Sequence, residues 1–253
     1  MPGDTEGTLK AVDLKTGAAT ETEPITYNGC LPQQMQAVGP WVYWDCYPSG
    51  SISDGNGVYN TQTQQWSWVP RGTLGDGYVV AYDYNRGLIL TPIGDAPRTI
   101  EAFTSRYNGP LVEADRFGGA IAYAKEENAQ ITVVDSDVAT SPVTEIESQV
   151  EQSVNLASAT DAVWDADWQL SKPVTDAQVT IRNKNGRIAF TGSAKEYAAA
   201  VSFSWDGRTS DGRYVNDGTY TWELTGTPAD GSGTALKVTG TIELTSRTKT
   251  TIG

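Results

Sequence analysis

The clearest pattern in this chain is an alternation of apolar and polar positions in its last hundred residues. Val179 and Ile181 alternate with polar residues, and Asn185–Gly186 then supplies the turn of a hairpin. Three later segments repeat the period of two, with apolar residues at Val201, Phe203 and Trp205, at Tyr220, Trp222 and Leu224, and at Val238, Ile242 and Leu244. A further strand over 162–170 gives about six or seven strands, which is the number expected of a β-sandwich.

The segment SWDGRTSDGRYVNDGTYTW, residues 204–222, carries a longer motif. It resembles the FlgD-type immunoglobulin-like repeat, whose pattern is W-D-G-x-x-x-x-G-x-x-V-x-D-G-T-Y-x-W. The matching positions are Trp205, Asp206, Gly207, Gly212, Val215, Asp217, Gly218, Thr219, Tyr220 and Trp222. The resemblance implies an immunoglobulin-like sandwich over 151–253. Members of that family serve in the flagellar hook cap and as accessory modules of bacterial secreted proteins.

The first 150 residues show shorter hairpin-like units between strand segments. These units are VDLKTG (12–17), YNTQTQ (59–64), YDYNRG (82–87) and VDSDVA (134–139). They resemble blades of a secreted β-propeller of the WD40 or quinoprotein-like sort, and the combination with the C-terminal repeat resembles secreted actinobacterial proteins. The predicted fold is therefore all-β, with partial β-propeller-like antiparallel sheets over 1–150 followed by an immunoglobulin-like β-sandwich.

The length of this first region allows about three blades, whereas closed propellers have about 4–8. Three explanations stay open: blades in a longer parent protein, copies that associate as a homo-oligomer to close the propeller, or a separate sandwich. We expect an incomplete propeller. The boundary near residue 150 lies in VTEIESQVEQSVNL (143–156), which fits a short helix or a linker with strand ends equally well.

Composition and charge exclude several classes of function. The chain has no histidine and two cysteines, which excludes Ser-His-Asp and Cys-His nucleophiles, His-ligated metal sites and thiolate zinc or iron–sulfur sites. A net charge of −13 disfavours binding to nucleic acid or anionic lipid. No apolar run is long enough for membrane insertion. The chain opens in polar sequence, so we expect that a signal was removed or that the chain is part of a longer protein.

Cys30 and Cys46 are close in sequence and flank a predicted turn and strand. A disulfide between them would close a loop worth roughly 3 kcal/mol of stability. Two buried free thiols are the alternative, and a cytosolic protein would favour them. We favour the disulfide and therefore a secreted, extracellular location.

Candidate binding residues come from an aromatic cluster in the first region. Trp41, Tyr43 and Trp44 are our predicted binding residues, because sugar rings stack on aromatic faces. Strand alternation puts Trp66 and Trp68 on one face, and likewise Tyr82 and Tyr84. This spacing instead indicates core packing between blades.

Acidic and amide side chains provide candidates for two further kinds of site, a calcium site and a glycan-hydrolysing site. No cofactor is expected, although Asp54, Asn56 and Asn60 could supply oxygen ligands to calcium. Asp206, Asp211 and Asp217 are interpreted as turn residues. A glycan hydrolase would need two carboxylates flanking a sugar. The candidates for that role are Asp45, Asp54, Asp76, Glu101, Glu113 and Asp115.

These observations favour a non-catalytic secreted or cell-surface binding or scaffold protein with a protein or carbohydrate partner. One alternative is a carboxylate-dependent glycan hydrolase. The other is a purely structural fragment of a longer secreted propeller protein.

The disulfide gives a first test. Mass spectrometry of the secreted protein without reductant should show peptides joined through Cys30 and Cys46. Two alkylatable thiols in the native secreted form would contradict both the disulfide and the extracellular location.

Overall fold

A computed structural model gives the fold for residues 6–12, 16–21, 25–26, 32–46, 56–103, 111–125, 130–156 and 162–245. Every regular element in these residues is a β-strand, so the predicted all-β class is confirmed. None of these residues forms a helix that is long and apolar enough to cross a membrane. The chain divides into two compact units, Met1–Thr140 and Ser141–Gly253.

The first unit begins with two small antiparallel pairs. Strand β1 (Glu6–Gly7) pairs with β4 (Ile25–Thr26), and β2 (Lys10–Val12) pairs with β3 (Ala19–Glu21).

Three larger sheets follow in chain order, each an antiparallel meander. The first sheet contains β5 (Pro32–Val38), β6 (Trp41–Cys46), β7 (Gly57–Asn60) and β8 (Gln65–Trp68). The second contains β9 (Thr73–Gly75), β10 (Tyr78–Asp83), β11 (Gly87–Pro92) and β12 (Arg98–Glu101). The third contains β13 (Leu111–Ala114), β14 (Ala120–Ala124) and β15 (Ile131–Asp135).

The second sheet lies between the other two and is covered on both faces. On one face Leu74 and Val79 pack with Val38, Tyr43 and Val58 of the first sheet. On the other face a second core joins it to the third sheet, and its buried members are Tyr78, Val80, Leu88, Leu90, Ile121 and Tyr123. This explains why β10 and β11 are rich in consecutive apolar residues, since a strand covered on both faces needs no polar side.

These three meanders agree with the prediction of antiparallel sheets in the first region. None of the sheets in the described residues closes on itself, and a propeller is not shown. In the described residues, the three larger sheets of the first unit are antiparallel and stacked.

The second unit is a sandwich of two sheets. One sheet has the order β16-β18-β22-β21, with β16 (Glu145–Val150), β18 (Trp164–Leu170), β22 (Ala200–Trp205) and β21 (Lys195–Tyr197). The other has the order β17-β24-β23-β19-β20, with β17 (Ser153–Asn155), β24 (Leu236–Thr245), β23 (Gly218–Pro228), β19 (Val174–Asn183) and β20 (Ile188–Ser193). Strand β17 runs parallel to β24 and the remaining pairs are antiparallel.

The segment 143–156, which the sequence left between helix and linker, contains β16 and β17. Strand β16 pairs with β18, so the second unit begins at Ser141, before the predicted boundary near 150. Strand β16 lies at the edge of its sheet, and most of its side chains are polar and exposed. Its sequence therefore lacks the alternation of apolar and polar residues that indicates a strand.

The core of the sandwich forms around Trp222 on β23. Its ring lies 5.4 Å from that of Trp168 and 6.0 Å from that of Trp164, both on the facing sheet. Across from it on β24 stands Gly240, where a Cβ would lie 2.3 Å from Trp222 Cζ2. A side chain at that position would therefore displace the indole.

Two of the aspartate–glycine turns of the motif depend on the conformational freedom of glycine. Gly207 and Gly212 have φ angles of 76° and 82°, in the left-handed region that glycine adopts without a steric cost. The Tyr220 hydroxyl donates a hydrogen bond to the Asn216 carbonyl over 2.9 Å and closes the segment between these turns and β23.

Replacement of Trp222 tests this core. Trp222→Ala should lower the free energy of unfolding by about 3–5 kcal/mol, because it leaves a cavity between the two sheets. Urea denaturation of the whole chain measures the effect, with Tyr197→Ala as the control, since that side chain is 58% exposed. Equal losses for the two variants would contradict the packing described here.

Candidate functional site

One face of the first sheet is lined by aromatic side chains. Strand pairing places Met35, Trp44, Gly57 and Trp68 in one row across the sheet, and Ala37, Val42, Tyr59 and Trp66 in the next. We call these eight residues the aromatic face. Because paired residues of an antiparallel sheet project to the same side, this face is opposite the one that packs on the second sheet.

The exposed part of the aromatic face centres on Trp66 and Trp68. They stand two positions apart on β8, an edge strand, and are 45% and 46% exposed. Their ring centroids are 4.8 Å apart and their planes are at 90°, so the edge of one indole meets the face of the other. The structure confirms the predicted shared face of Trp66 and Trp68. It does not show the predicted core packing of these two residues, because their face points away from the second sheet.

The interior of the aromatic face is held by a close contact with glycine. A Cβ at Gly57 would lie 2.3 Å from Trp44 Cζ2, so the Trp44 ring crosses the strand at this glycine. The same device holds Trp222 against Gly240 in the second unit. Trp44 is fully buried, and Tyr59 in the neighbouring row is 8% exposed.

The three residues predicted to bind a ligand are divided between the two faces of β6. Trp41 and Tyr43 point toward the second sheet, where Trp41 is partly buried and Tyr43 has no exposed surface. Trp44 belongs to the aromatic face and is also fully buried. The structure therefore does not bring these rings together on one accessible surface, and their role in binding stays a prediction.

The core side of β6 carries a polar cluster at one end. The Tyr43 hydroxyl accepts a hydrogen bond from the Gly72 amide over 3.1 Å. Asp45, which is 3% exposed, forms an ion pair with Arg71 in which Nε and Oδ2 are 2.7 Å apart. Asp45 Oδ1 has no hydrogen-bond partner in the described part of the chain. Burial, followed by the Asp45 charge, raises the pKa of Tyr43 to about 12.

The other carboxylates considered for catalysis are dispersed. Glu101 is paired with Lys125, and Asp115 accepts a hydrogen bond from the Phe117 amide over 2.9 Å. Glu113 is exposed on the third sheet, and Asp54 lies outside the described residues. Asp76 is buried near Tyr78, whose pKa is raised first by burial and then by the charges of nearby aspartates.

Of the residues considered for calcium, Asn60 serves as a turn residue, Asn56 is buried, and Asp54 lies outside the described residues. Asn60 Oδ1 accepts hydrogen bonds from the amides of Gln62 and Thr63, each over 2.9 Å. Asp206 accepts one from the Arg208 amide, and Asp211 is paired with Arg213. Within the described ranges no three acidic or thiol side chains are placed to share a metal ion. Calcium binding stays untested.

The predicted disulfide lies outside the described part of the chain. Cys30 lies outside the described residues, and Cys46 is described only by its backbone at the end of β6.

Comparison with known proteins supports the identification of the second unit. Residues 154–230 match the family model described as the FlgD Ig-like domain. The match covers most of the two-sheet sandwich and includes the aspartate–glycine turns. No curated protein matches the chain.

Similarity to solved structures is weak. CopC from Methylosinus trichosporium OB3b is 14% identical, with a TM-score of 0.27, over 42% of this chain and 93% of CopC. The extracellular domain of the two component system BT4673 from B. thetaiotaomicron is 10% identical, with a TM-score of 0.31, over 93% of this chain and 34% of that domain. The chain therefore spans about a third of the BT4673 domain. These matches do not support a propeller or an actinobacterial origin.

The raised pKa of Tyr43 predicts a loss of stability in alkali. Because the folded state holds this proton more tightly than the unfolded chain, the contribution is complete below pH 10 and is lost as the pH rises toward 12. A shift of this size corresponds to on the order of 2 kcal/mol. Urea unfolding at a series of pH values should show a shallower decline for Tyr43→Phe than for the original chain. Identical slopes would show that Tyr43 does not contribute.

Proposed function

We propose that this chain is a non-catalytic, secreted or cell-surface scaffold protein whose first unit binds a protein partner through the exposed part of the aromatic face. The observation that carries the proposal is the pair of half-exposed tryptophans on an edge strand. Tryptophans are enriched at protein interfaces, where they contribute large apolar area with few rotatable bonds. The immunoglobulin-like second unit serves as a spacer or assembly module.

The geometry of the pair favours a protein partner over a glycan. Stacking of a sugar needs the flat face of a ring, and in the perpendicular pair one indole face is already covered by the edge of its neighbour. The two rings instead form one compact projection that fits a depression in another surface. A carbohydrate partner remains the alternative outcome of the test.

The non-catalytic assignment rests on the available side chains. Without histidine, hydrolysis of a glycan would fall to carboxylates. Asp45 and Glu101 are paired with cations and Asp115 holds a turn, so these three have structural partners. An extracellular location is supported by the close cysteine pair and by the kind of proteins in which the C-terminal repeat is found.

Site-specific photocrosslinking tests the proposal. The photoreactive residue p-benzoylphenylalanine would replace Trp66 in the whole chain, and Tyr197, which is 58% exposed on the second unit, would be the control position. Irradiation of the protein in the cells that produce it should give one adduct of defined mass at position 66 and none at position 197. Mass spectrometry then identifies the attached protein.

A second measurement separates the glycan alternative. In electrophoresis through gels that contain soluble polysaccharides, the chain should migrate as it does without them, and no reducing sugar should be released. The proposal is overturned if no adduct forms at position 66. It is also overturned if a polysaccharide retards the chain and Trp66→Ala with Trp68→Ala removes the retardation.

A further inference from the structure

The third sheet of the first unit presents an apolar face to solvent. Its central strand β14 contributes Ala120, Ala122 and Ala124, which alternate with the core residues Ile121 and Tyr123. The paired residues on the flanking strands project to the same side as the alanines. They are Leu111 and Glu113 on β13 and Ile131, Val133 and Asp135 on β15. We call these eight residues the alanine face.

The large members of the alanine face are among the most exposed apolar side chains in the described part of the protein. Leu111 is 81% exposed, Ile131 is 72% exposed and Val133 is 65% exposed. Monomeric proteins rarely leave a contiguous apolar surface open, and such surfaces commonly mark interaction sites.

The relief of this face is a groove between two ridges. Methyl side chains line the central strand, while Ile131 and Val133 rise along one side and Leu111 and Glu113 along the other. Neighbouring strands are about 4.8 Å apart, so the groove is roughly two strand spacings wide between its ridges. A surface that fills it must bring bulky apolar groups that project from a row.

The aromatic face of the same chain meets this requirement. Trp66 and Trp68 are spaced by two residues along β8, about 7 Å, which is also the spacing of successive alanines along β14. Bulky residues thus stand at one end of the stack of sheets, and small residues at matching intervals stand at the other.

Charge permits this contact in an otherwise acidic protein. The chain carries a net charge of −13, but the aromatic face contains no charged residue. The alanine face contains two, Glu113 on an edge strand and Asp135 at the end of β15. Contact between these two faces therefore sets no charge of one copy against a like charge of the other.

We propose that the chain associates head to tail, with Trp66 and Trp68 of one copy seated in the groove of the alanine face of a second copy. The contact continues the packing inside the first unit, where sheet faces already stack twice in sequence. Because the contact joins two different surfaces, it is heterologous. Repeated contacts form a closed ring if the rotation between neighbouring copies brings the last copy back to the first, and an open filament otherwise. This inference rests on the proposed function and names its partner as a second copy.

A mixing experiment with the purified full chain tests the contact. One variant combines Trp66→Lys and Trp68→Lys, and a second combines Ile131→Lys and Val133→Lys. Light scattering on the chromatographed protein should give at least twice 27.1 kDa for the original chain and the single-chain mass for each variant alone. An equimolar mixture of the variants should form a pair, because each retains the face that the other lacks.

The mixture separates this contact from other outcomes. Failure of the mixed variants to pair overturns the head-to-tail contact, as does a monomeric original chain at all concentrations. Association of the tryptophan variant alone would show a symmetric contact between alanine faces and would also overturn it. Tyr84→Lys, in a turn of the second sheet and 64% exposed before substitution, is the control and should associate as the original chain does.

The two proposals can fail separately. A monomeric purified chain that still gives a photocrosslinked adduct with a different protein at position 66 removes the second copy as partner and leaves the scaffold function. Absence of any adduct removes both.

Discussion

Every strand in this protein projects side chains to both faces of its sheet, and the structure depends on how each apolar face is covered. The second unit covers its inner faces by pairing two sheets, with Trp222 between Trp164 and Trp168 at the centre. Its outward positions are mostly polar or charged. This unit therefore covers its own inner faces, and the FlgD Ig-like domain match over residues 154–230 lies within it.

The first unit covers its faces by stacking, which has a different consequence. A stack of three sheets buries both faces of the middle sheet but leaves one outward face at each end. The faces that point away from the middle sheet are the aromatic face, which is exposed at Met35, Trp66 and Trp68 and buried at Trp44 and Tyr59, and the alanine face. Both are apolar where a solvated sheet would alternate to polar residues. The two units thus differ in what they leave exposed, and the surfaces available for recognition are concentrated in the first.

The sequence allowed the second unit to be predicted well because its pattern is local. The period of two at Tyr220, Trp222 and Leu224 and the glycines of the motif are enough to assign strands, turns and core. The edge strand β16 was not recognised because its exposed face and its solvated edge give a polar sequence. Its assignment depends on pairing with β18, a contact that periodicity does not contain.

In the first unit the periodicity identified the faces but not their environment. The spacing of Trp66 and Trp68 placed them correctly on one face, yet which face of the sheet is buried cannot be read from β6 or β8 alone. Which face is buried depends on Leu74 and Val79, which belong to the second sheet and cover the side of the first sheet that carries Tyr43. Two of the residues predicted to bind a ligand, Trp41 and Tyr43, thus face the second sheet, while Trp66 and Trp68, predicted as core, form the exposed pair.

Exposure of large apolar groups is costly in water, so the two end faces indicate a constraint rather than an accident of composition. Substitution of single exposed residues by polar ones is readily tolerated in most proteins, and an acidic chain of this kind has many charged residues to place. Yet the aromatic face carries no charge, and the alanine face carries only two, Glu113 beside Ala122 and Asp135 beside Ala120. The small residues of β14 are informative here. A face that met only solvent would have no reason to keep three methyl groups in register beneath ridges of leucine, isoleucine and valine, whereas a face that receives bulky rings needs that hollow.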